Sequence, residues 1–116
     1  MTLQLKRVYL PPDDTDGRRI LVDRLWPRGL SKATAKIDLW IKDIAPSNEL
    51  RKWFAHESEK WPEFRKRYAA ELRQMPEVVA QLRAELRKGH ATLLFGAHNE
   101  TENNAVALRE YLQKHS

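Results

Sequence analysis

The sequence predicts an α/β fold: a single three-layer, Rossmann-like domain in which a short, mainly parallel sheet of about four strands is flanked by helices. Two observations predict it. Short apolar or alternating segments alternate along the chain with amphipathic segments, and strands separated by helices usually form parallel sheets that the helices cover. In addition, 116 residues suffice for one core and not for two, so residues 1–116 are expected to form one domain.

The composition is that of a globular protein without cysteine. Hydrophobic residues make up 41% of the chain and charged residues 32%, which is too apolar for a disordered protein. The absence of cysteine excludes disulfides, thiolate nucleophiles and cysteine-bound zinc, so a reducing compartment is expected. No segment has the length and hydropathy of a signal peptide or a membrane span. We therefore expect a cytoplasmic protein with no membrane partner.

The first part of the chain predicts two strands. Polar and apolar residues alternate over 3–9, as in a strand, until Pro11-Pro12 ends the pattern. A polar, flexible turn at 13–17 follows. The apolar run 20–22 is typical of a strand buried on both faces, and this strand is expected to end near Asp23.

A short helix and a third strand are predicted next. Residues 27–29 contain proline and glycine and predict a turn, after which Ser31 can cap a helix over 32–36. Segment 37–44 fits both the alternation of a strand and the spacing of a helix. We favour the strand, because Pro46 disfavours helical geometry in the residue before it.

Three helices should follow the third strand. Ser47 is a good N-cap for a helix that begins at Asn48. Aromatic and aliphatic residues recur at steps of three and four over 61–75, which makes this the clearest amphipathic helix. Pro76 ends it and can begin the next helix, for which Gly89 is the expected C-cap.

The last part of the chain predicts a central strand and a terminal helix. Segment 91–97 is short and apolar and lies between a predicted helix and a polar loop, so we expect it at the centre of the sheet. Asn103 can cap a final helix. The residues of this helix expected to face inward are Ala105, Leu108 and Leu112.

Polar residues follow three of the predicted strands at their carboxyl ends, where parallel α/β sheets bind ligands. The residues placed there are Asp23, Arg24, Trp26, Arg28, Lys42, Asp43, Ser47, His98, Asn99, Glu102, Asn103 and Asn104. Six of them are candidate anion-binding residues: Arg24, Arg28, Lys42, Ser47, Asn103 and Asn104.

Arginine side chains and amide groups at helix starts are well suited to bind an anion. The guanidinium groups of Arg24 and Arg28 can each form two parallel hydrogen bonds to a phosphate or carboxylate. Amide groups at the helix starts near Ser47 and Asn103 can donate further hydrogen bonds. Asp23 or His98 could then act as a catalytic general base.

A structural interpretation of the same residues is equally strong. In it, Asp23 pairs with an arginine, the asparagines cap a helix, and Trp26 packs on the sheet. The spacing of His98 and Glu102 resembles that of two metal ligands, but no third ligand accompanies them, so no metal site is predicted. The four glycines are scattered, so there is no glycine-rich phosphate loop and no cofactor can be named.

Several motifs resemble a known family through nearly the whole chain. They are Val22-Asp23-Arg24-Leu25-Trp26-Pro27-Arg28-Gly29, Ala45-Pro46-Ser47, Leu50-Arg51-Lys52-Trp53-Phe54, the set Trp61, Phe64, Tyr68, Glu71 and Leu72, Thr92-Leu93-Leu94-Phe95, and Asn103-Asn104-Ala105-Val106. In these motifs the chain resembles the YeaO-like family, a bacterial family of unknown function. The resemblance implies a compact cytosolic α/β domain and supplies no reaction, cofactor or catalytic residue.

Two binding functions follow as hypotheses, beside a purely structural role as a subunit, which would require an exposed apolar patch. The first is binding of an anionic, phosphate-like or nucleotide-like small molecule at the carboxyl edge of the sheet. The second is a nucleic-acid-binding or regulatory module that uses basic helical faces, including Arg65, Lys66, Arg67 and Arg73. The net charge of +5 is compatible with nucleic-acid binding. However, the basic residues are spread evenly: residues 1–60 hold 12 basic and 9 acidic side chains, and residues 61–116 hold 9 basic and 7 acidic side chains. Because the sequence contains no block of basic residues, binding of a small anion is favoured.

Neither the presence of an enzymatic activity nor the oligomeric state follows from the sequence.

Overall fold

A computed structural model describes residues 3–115 and places four strands in one parallel sheet. The strands are β1 (Gln4–Arg7), β2 (Arg18–Leu21), β3 (Leu39–Trp40) and β4 (Ala91–Phe95). Their spatial order is β1-β4-β2-β3, and every neighbouring pair is parallel. The predicted α/β class and parallel sheet are confirmed.

Five α-helices accompany the sheet in the described residues. They are α1 (Lys32–Ala35), α2 (Asn48–Phe54), α3 (Trp61–Arg73), α4 (Pro76–Leu86) and α5 (Asn104–Lys114). Ser31, Ser47 and Asn103 cap the starts of α1, α2 and α5 through their side chains, as predicted. None of the helices in this part of the chain is long and apolar enough to span a membrane.

The central position predicted for the last strand is confirmed, because β4 pairs with β1 on one side and β2 on the other. All five of its residues are buried. Successive residues of a strand point to opposite faces, and two clusters of core residues result. Leu93 packs in the cluster with α2, α3, α4 and α5, whereas Leu94 packs in a smaller cluster with Ala35 of α1. In this Rossmann-like arrangement, the layer that contains α2, α3, α4 and α5 is therefore larger than the layer that contains α1.

The structure corrects two details of the sequence prediction. Only Leu39–Trp40 of segment 37–44 is a strand, and a 3₁₀ turn over Lys42–Ile44 follows it. This turn buries Ile44 completely and presents its carbonyl oxygen to the Tyr68 hydroxyl at 2.5 Å. Gly89 is not the C-cap of α4, because the helix ends earlier, with Arg87 as the C-cap in right-handed helical geometry.

The polar turn at 13–17, predicted to be flexible, holds a defined conformation. A 3₁₀ turn over Asp14–Asp16 is closed by a capping box between Asp13 and Asp16. Asp16 is 1% exposed and lies within hydrogen-bonding distance of both Lys6 and Arg19. This buried charged cluster lies at the amino end of β2, away from the edge where a ligand site is predicted.

Candidate functional site

A cleft of about 600 Å³ opens at the carboxyl edge of the sheet, where the sequence predicts a ligand site. Seven of the predicted polar residues line it, together with Trp26: Asp23, Arg24, Arg28, His98, Asn99, Asn103 and Asn104. The remaining lining residues are Tyr9, Leu25, Pro27, Ala45, Pro46, Arg51, Phe54, His56, Phe64, Gly96 and Ala97. The cleft thus combines a few charged groups with extensive apolar walls.

Asp23 is anchored between the ends of β2 and β4. Its carboxylate accepts hydrogen bonds from the Gly96 amide at 2.8 Å and from the Asn104 side chain at 3.0 Å. The indole of Trp40 donates to the Asp23 carbonyl oxygen at 2.7 Å. Glycine at position 96 allows this close approach, because a Cβ there would lie 3.1 Å from the carboxylate. Asp23 therefore joins two strand ends and the start of α5.

The ionisation of Asp23 reflects this half-buried position. Burial raises the pKa of the Asp23 carboxyl above its ordinary value of 3.8. The hydrogen bonds from Asn104 and Gly96 oppose this rise. The nearby positive charges of Arg51 and His56 oppose it further, so both side chains lie close enough to act on Asp23 electrostatically.

The two predicted arginines differ in what they contact. The Arg24 guanidinium donates to the carbonyl oxygens of Ala45 at 3.0 Å and Pro46 at 3.2 Å, which uses two of its five N–H groups. Arg28 is exposed, and its backbone carbonyl accepts a hydrogen bond from the Tyr9 hydroxyl at 3.2 Å. Arg24 is therefore held against the backbone at one wall of the cleft, whereas the Arg28 side chain is exposed to solvent.

Arg51 and His56 line the cleft although the sequence did not predict either of them there. Both line the cleft from the end of α2, although neither follows a strand. Ala55 and His56 have φ angles of 47° and 60°, a left-handed conformation that residues other than glycine seldom adopt. This strained pair turns the chain at the end of α2 and brings His56 to the cleft.

Replacing Ala55 with glycine should raise the free energy of unfolding by about 1 kcal/mol, because glycine adopts positive φ angles without steric cost. The control is Ala70→Gly in the exposed interior of α3, which should lower it by about 1 kcal/mol. Urea unfolding of both variants measures the two effects. A loss of stability in both would show that the Ala55 backbone is not strained.

Asn103, another predicted residue, serves mainly as the N-cap of α5. The Asn103 side chain accepts from the Val106 amide at 3.0 Å and donates to the Asn99 carbonyl at 2.9 Å. The helix-start amides expected to hold an anion are thus partly used by capping. His98 is exposed, with Nδ1 at 3.5 Å from an Arg7 nitrogen.

Lys42 and Ser47 are not among the residues that line the cleft. The Lys42 ammonium lies 5.7 Å from the centre of the Trp40 ring. The Ser47 hydroxyl caps α2 and donates to Glu71 at 2.6 Å. Among residues 3–115, no three histidine, aspartate or glutamate side chains come together as metal ligands would.

Comparison with known proteins extends the resemblance seen in the motifs. The sequence model of a family described as "Inactive DUF488-N3 subclade" matches residues 2–116. "Uncharacterized protein YeaO" of Escherichia coli (strain K12) is 46% identical over 113 residues, which cover 97% of this chain and 98% of that protein. "Uncharacterized protein Rv3073c" of Mycobacterium tuberculosis (strain ATCC 25618 / H37Rv) is 47% identical over 62 residues, covering 53% of this chain and 52% of that protein. No solved structure matches the chain.

Proposed function

We propose that this chain, which belongs to the inactive DUF488-N3 subclade, binds an anionic small molecule in the cleft at the carboxyl edge of its sheet. One observation carries the proposal. Among residues 3–115, the side chains that line the cleft include three arginines and two histidines but a single carboxylate. Within the described residues, none of the three arginines takes part in a salt bridge. Such a cleft concentrates positive potential that a bound anion would neutralise.

The chemistry of the cleft favours binding over catalysis. Both oxygens of Asp23 already accept hydrogen bonds, so the predicted general base serves first as an anchor. The chain contains no cysteine that could act as a nucleophile. The word "inactive" in the family's description agrees with a binding role.

The contacts of α3 give less support to the alternative, nucleic-acid binding through a basic helical face. Arg65 forms an ion pair with Glu110, and Arg67 pairs with Glu63 at 3.0 Å. The Arg67 guanidinium also stacks on Trp53, with its central carbon 4.1 Å from the ring centre. Two of the basic side chains on this face are thus neutralised by neighbours, so we favour the cleft.

The proposal predicts that Arg28→Ala and Arg51→Ala each weaken the affinity for sulfate or inorganic phosphate by about tenfold or more, because a hydrogen bond to a charged group contributes about 1.5–3 kcal/mol. The measurement is thermal unfolding at increasing anion concentration, since a ligand that binds only the folded state raises its melting temperature. Arg87→Ala is the matched control, because Arg87 is exposed at the end of α4 and does not line the cleft.

Two results would contradict the proposal. One is an equal loss of anion stabilisation in all three variants, which would indicate a general effect of net charge. The other is the absence of any anion-dependent rise in the wild-type melting temperature. Titration with labelled duplex and single-stranded nucleic acid at low salt tests the alternative in parallel, because nucleic-acid binding by basic residues is strongest there.

A further inference from the structure

Tyr9 gives the cleft a fixed aromatic surface. Its hydroxyl is held by the hydrogen bond to the Arg28 carbonyl oxygen at 3.2 Å. The central guanidinium carbon of Arg7 lies 5.5 Å from the centre of the Tyr9 ring, and Arg7 is itself held by a hydrogen bond to the Ala97 carbonyl at 3.0 Å. The ring is therefore restrained at its hydroxyl and over one face, yet it is 42% exposed.

Exposed hydrophobic side chains also lie at this cleft. Three large hydrophobic side chains are exposed among residues 3–115, and two of them, Tyr9 and Leu25, line the cleft. Exposed apolar groups collected at one place commonly mark a binding surface. Here they lie in the same cleft as the cations of Arg28 and Arg51.

The size of the cleft also indicates an organic ligand. A volume of about 600 Å³ falls in the range of pockets that hold complete small organic molecules, about 300–1,000 Å³. An inorganic anion alone would leave most of the apolar wall unoccupied. Because the wall is apolar and the arginines are cationic, the matching ligand has one apolar part and one anionic part.

We infer that Tyr9 stacks on a planar aromatic ring of the ligand, whose phosphate group is held by the arginines of the cleft. The inference rests on the proposed anion-binding function and names its ligand class: a phosphate monoester that carries an aromatic ring. Nucleoside monophosphates and simple aryl phosphates share this chemistry. Because the Tyr9 ring is held in place before binding, stacking costs little conformational entropy.

The test compares Tyr9→Phe, which keeps the ring, with Tyr9→Leu, which keeps only apolar bulk. Isothermal titration at neutral pH uses three probes: adenosine 5′-monophosphate, phenyl phosphate and inorganic phosphate. At least one ring-bearing probe should bind the wild type about fivefold or more tightly than inorganic phosphate does, which is the scale of aromatic stacking. Tyr9→Leu should lose this advantage. Tyr9→Phe should keep most of it, because the ring and its contact with Arg7 remain although the hydrogen bond to Arg28 is lost. Which ring-bearing probe binds more tightly distinguishes a nucleotide site from a general aryl phosphate site.

Leu25→Ser provides a second variant at an exposed position in case Tyr9→Leu does not fold. It should weaken binding of the ring-bearing probes and leave inorganic phosphate unaffected. Equal affinity of the wild type for all three probes would overturn the inference and leave the proposed function standing, as would an equal loss in Tyr9→Phe and Tyr9→Leu. A wild type that binds none of the probes would contradict both.

Discussion

Replacing Arg19 with alanine is expected to lower the free energy of unfolding by about 3–5 kcal/mol, the usual cost of removing one partner from a buried ion pair. Arg19 is 3% exposed, and its guanidinium contacts the Asp16 carboxylate at 2.5 Å. It also donates to the carbonyl oxygen of Ala35 at 2.9 Å and to that of Lys36 at 3.1 Å, at the end of α1. The substitution therefore removes one of the two cations paired with a buried carboxylate and leaves helix-end carbonyls without this donor.

Arg18→Ala is the matched control for this prediction. Arg18 is the neighbouring residue of β2, but its ion pair with Glu85 is partly exposed, so its loss should cost about 1 kcal/mol or less. Urea unfolding of the two variants and the wild type measures the difference. Equal losses in the two variants would show that the buried pair contributes no more than a surface pair.

The pH dependence of the wild-type free energy of unfolding gives a second test of the buried ion pairs that Asp16 forms with Lys6 and Arg19. Burial pushes the pKa of Asp16 upward, but hydrogen bonds from the Asp13 amide, from Lys6 and from Arg19 outweigh it and hold the pKa below 3.8. A lowered carboxyl pKa contributes stability above the unfolded value, and this contribution is lost as the pH falls through the folded pKa. Arg19→Ala should weaken this acid dependence.

The strands and helices were largely predictable because each depends on local pattern. The apolar run of β4 and the capping residues Ser47 and Asn103 act through neighbours in the chain, and the structure confirms them. The Lys42–Ile44 turn was not predictable in this way. Its geometry buries Ile44 against distant residues such as Tyr68, and tertiary packing of this kind overrides a local strand pattern.

The sequence predicts only those residues of the candidate site that follow a strand, because the prediction uses the rule that parallel α/β sheets bind ligands at the carboxyl ends of their strands. That rule brings Asp23 and Arg28 to the cleft, where the structure places them. It also assigns Lys42 to the same edge, but Lys42 begins the 3₁₀ turn that follows β3 and is not among the residues that line the cleft. Arg51 and His56 come from the end of a helix, so no rule about strand ends could find them. A helix that ends in two residues with positive φ angles becomes visible only in three dimensions.

Asp23→Ala should have the second-largest effect, a loss of about 2–3 kcal/mol in the free energy of unfolding at neutral pH. The substitution leaves the Gly96 amide without its acceptor and leaves the Asn104 side chain with only the Val22 carbonyl oxygen. A lost acceptor costs about 1–3 kcal/mol for each donor left unsatisfied, less where water can enter the cleft. Asp43→Ala is the control at an exposed aspartate, where a change within about 0.5 kcal/mol is expected. Urea unfolding measures both.

The raised pKa of Asp23 makes its acid response opposite to that of Asp16. Because the folded state holds the Asp23 proton more tightly than the unfolded state does, protonation stabilises the wild type as the pH falls toward the folded pKa. The alanine variant lacks this gain, whereas Asp16 contributes equally to both proteins. The difference in stability between wild type and Asp23→Ala should therefore widen as the pH falls from neutral toward 3.8, and a constant difference would contradict the raised pKa.

Asp23 has two effects: its hydrogen bonds stabilise the fold, and its negative charge repels a bound anion. Measuring how tightly the folded Asp23→Ala variant binds sulfate tests the second effect separately from the first. Among the described residues, Asp23 is the only one that lines the cleft with a carboxylate, so its removal should tighten sulfate binding even as the fold becomes less stable. In the wild type, sulfate should bind more tightly as the pH falls toward the Asp23 pKa, because a bound anion favours the protonated carboxyl. The variant should lose this part of the pH dependence. Thermal unfolding with and without sulfate measures both effects, and weaker sulfate binding in a folded variant would mean that the anion does not lie near Asp23.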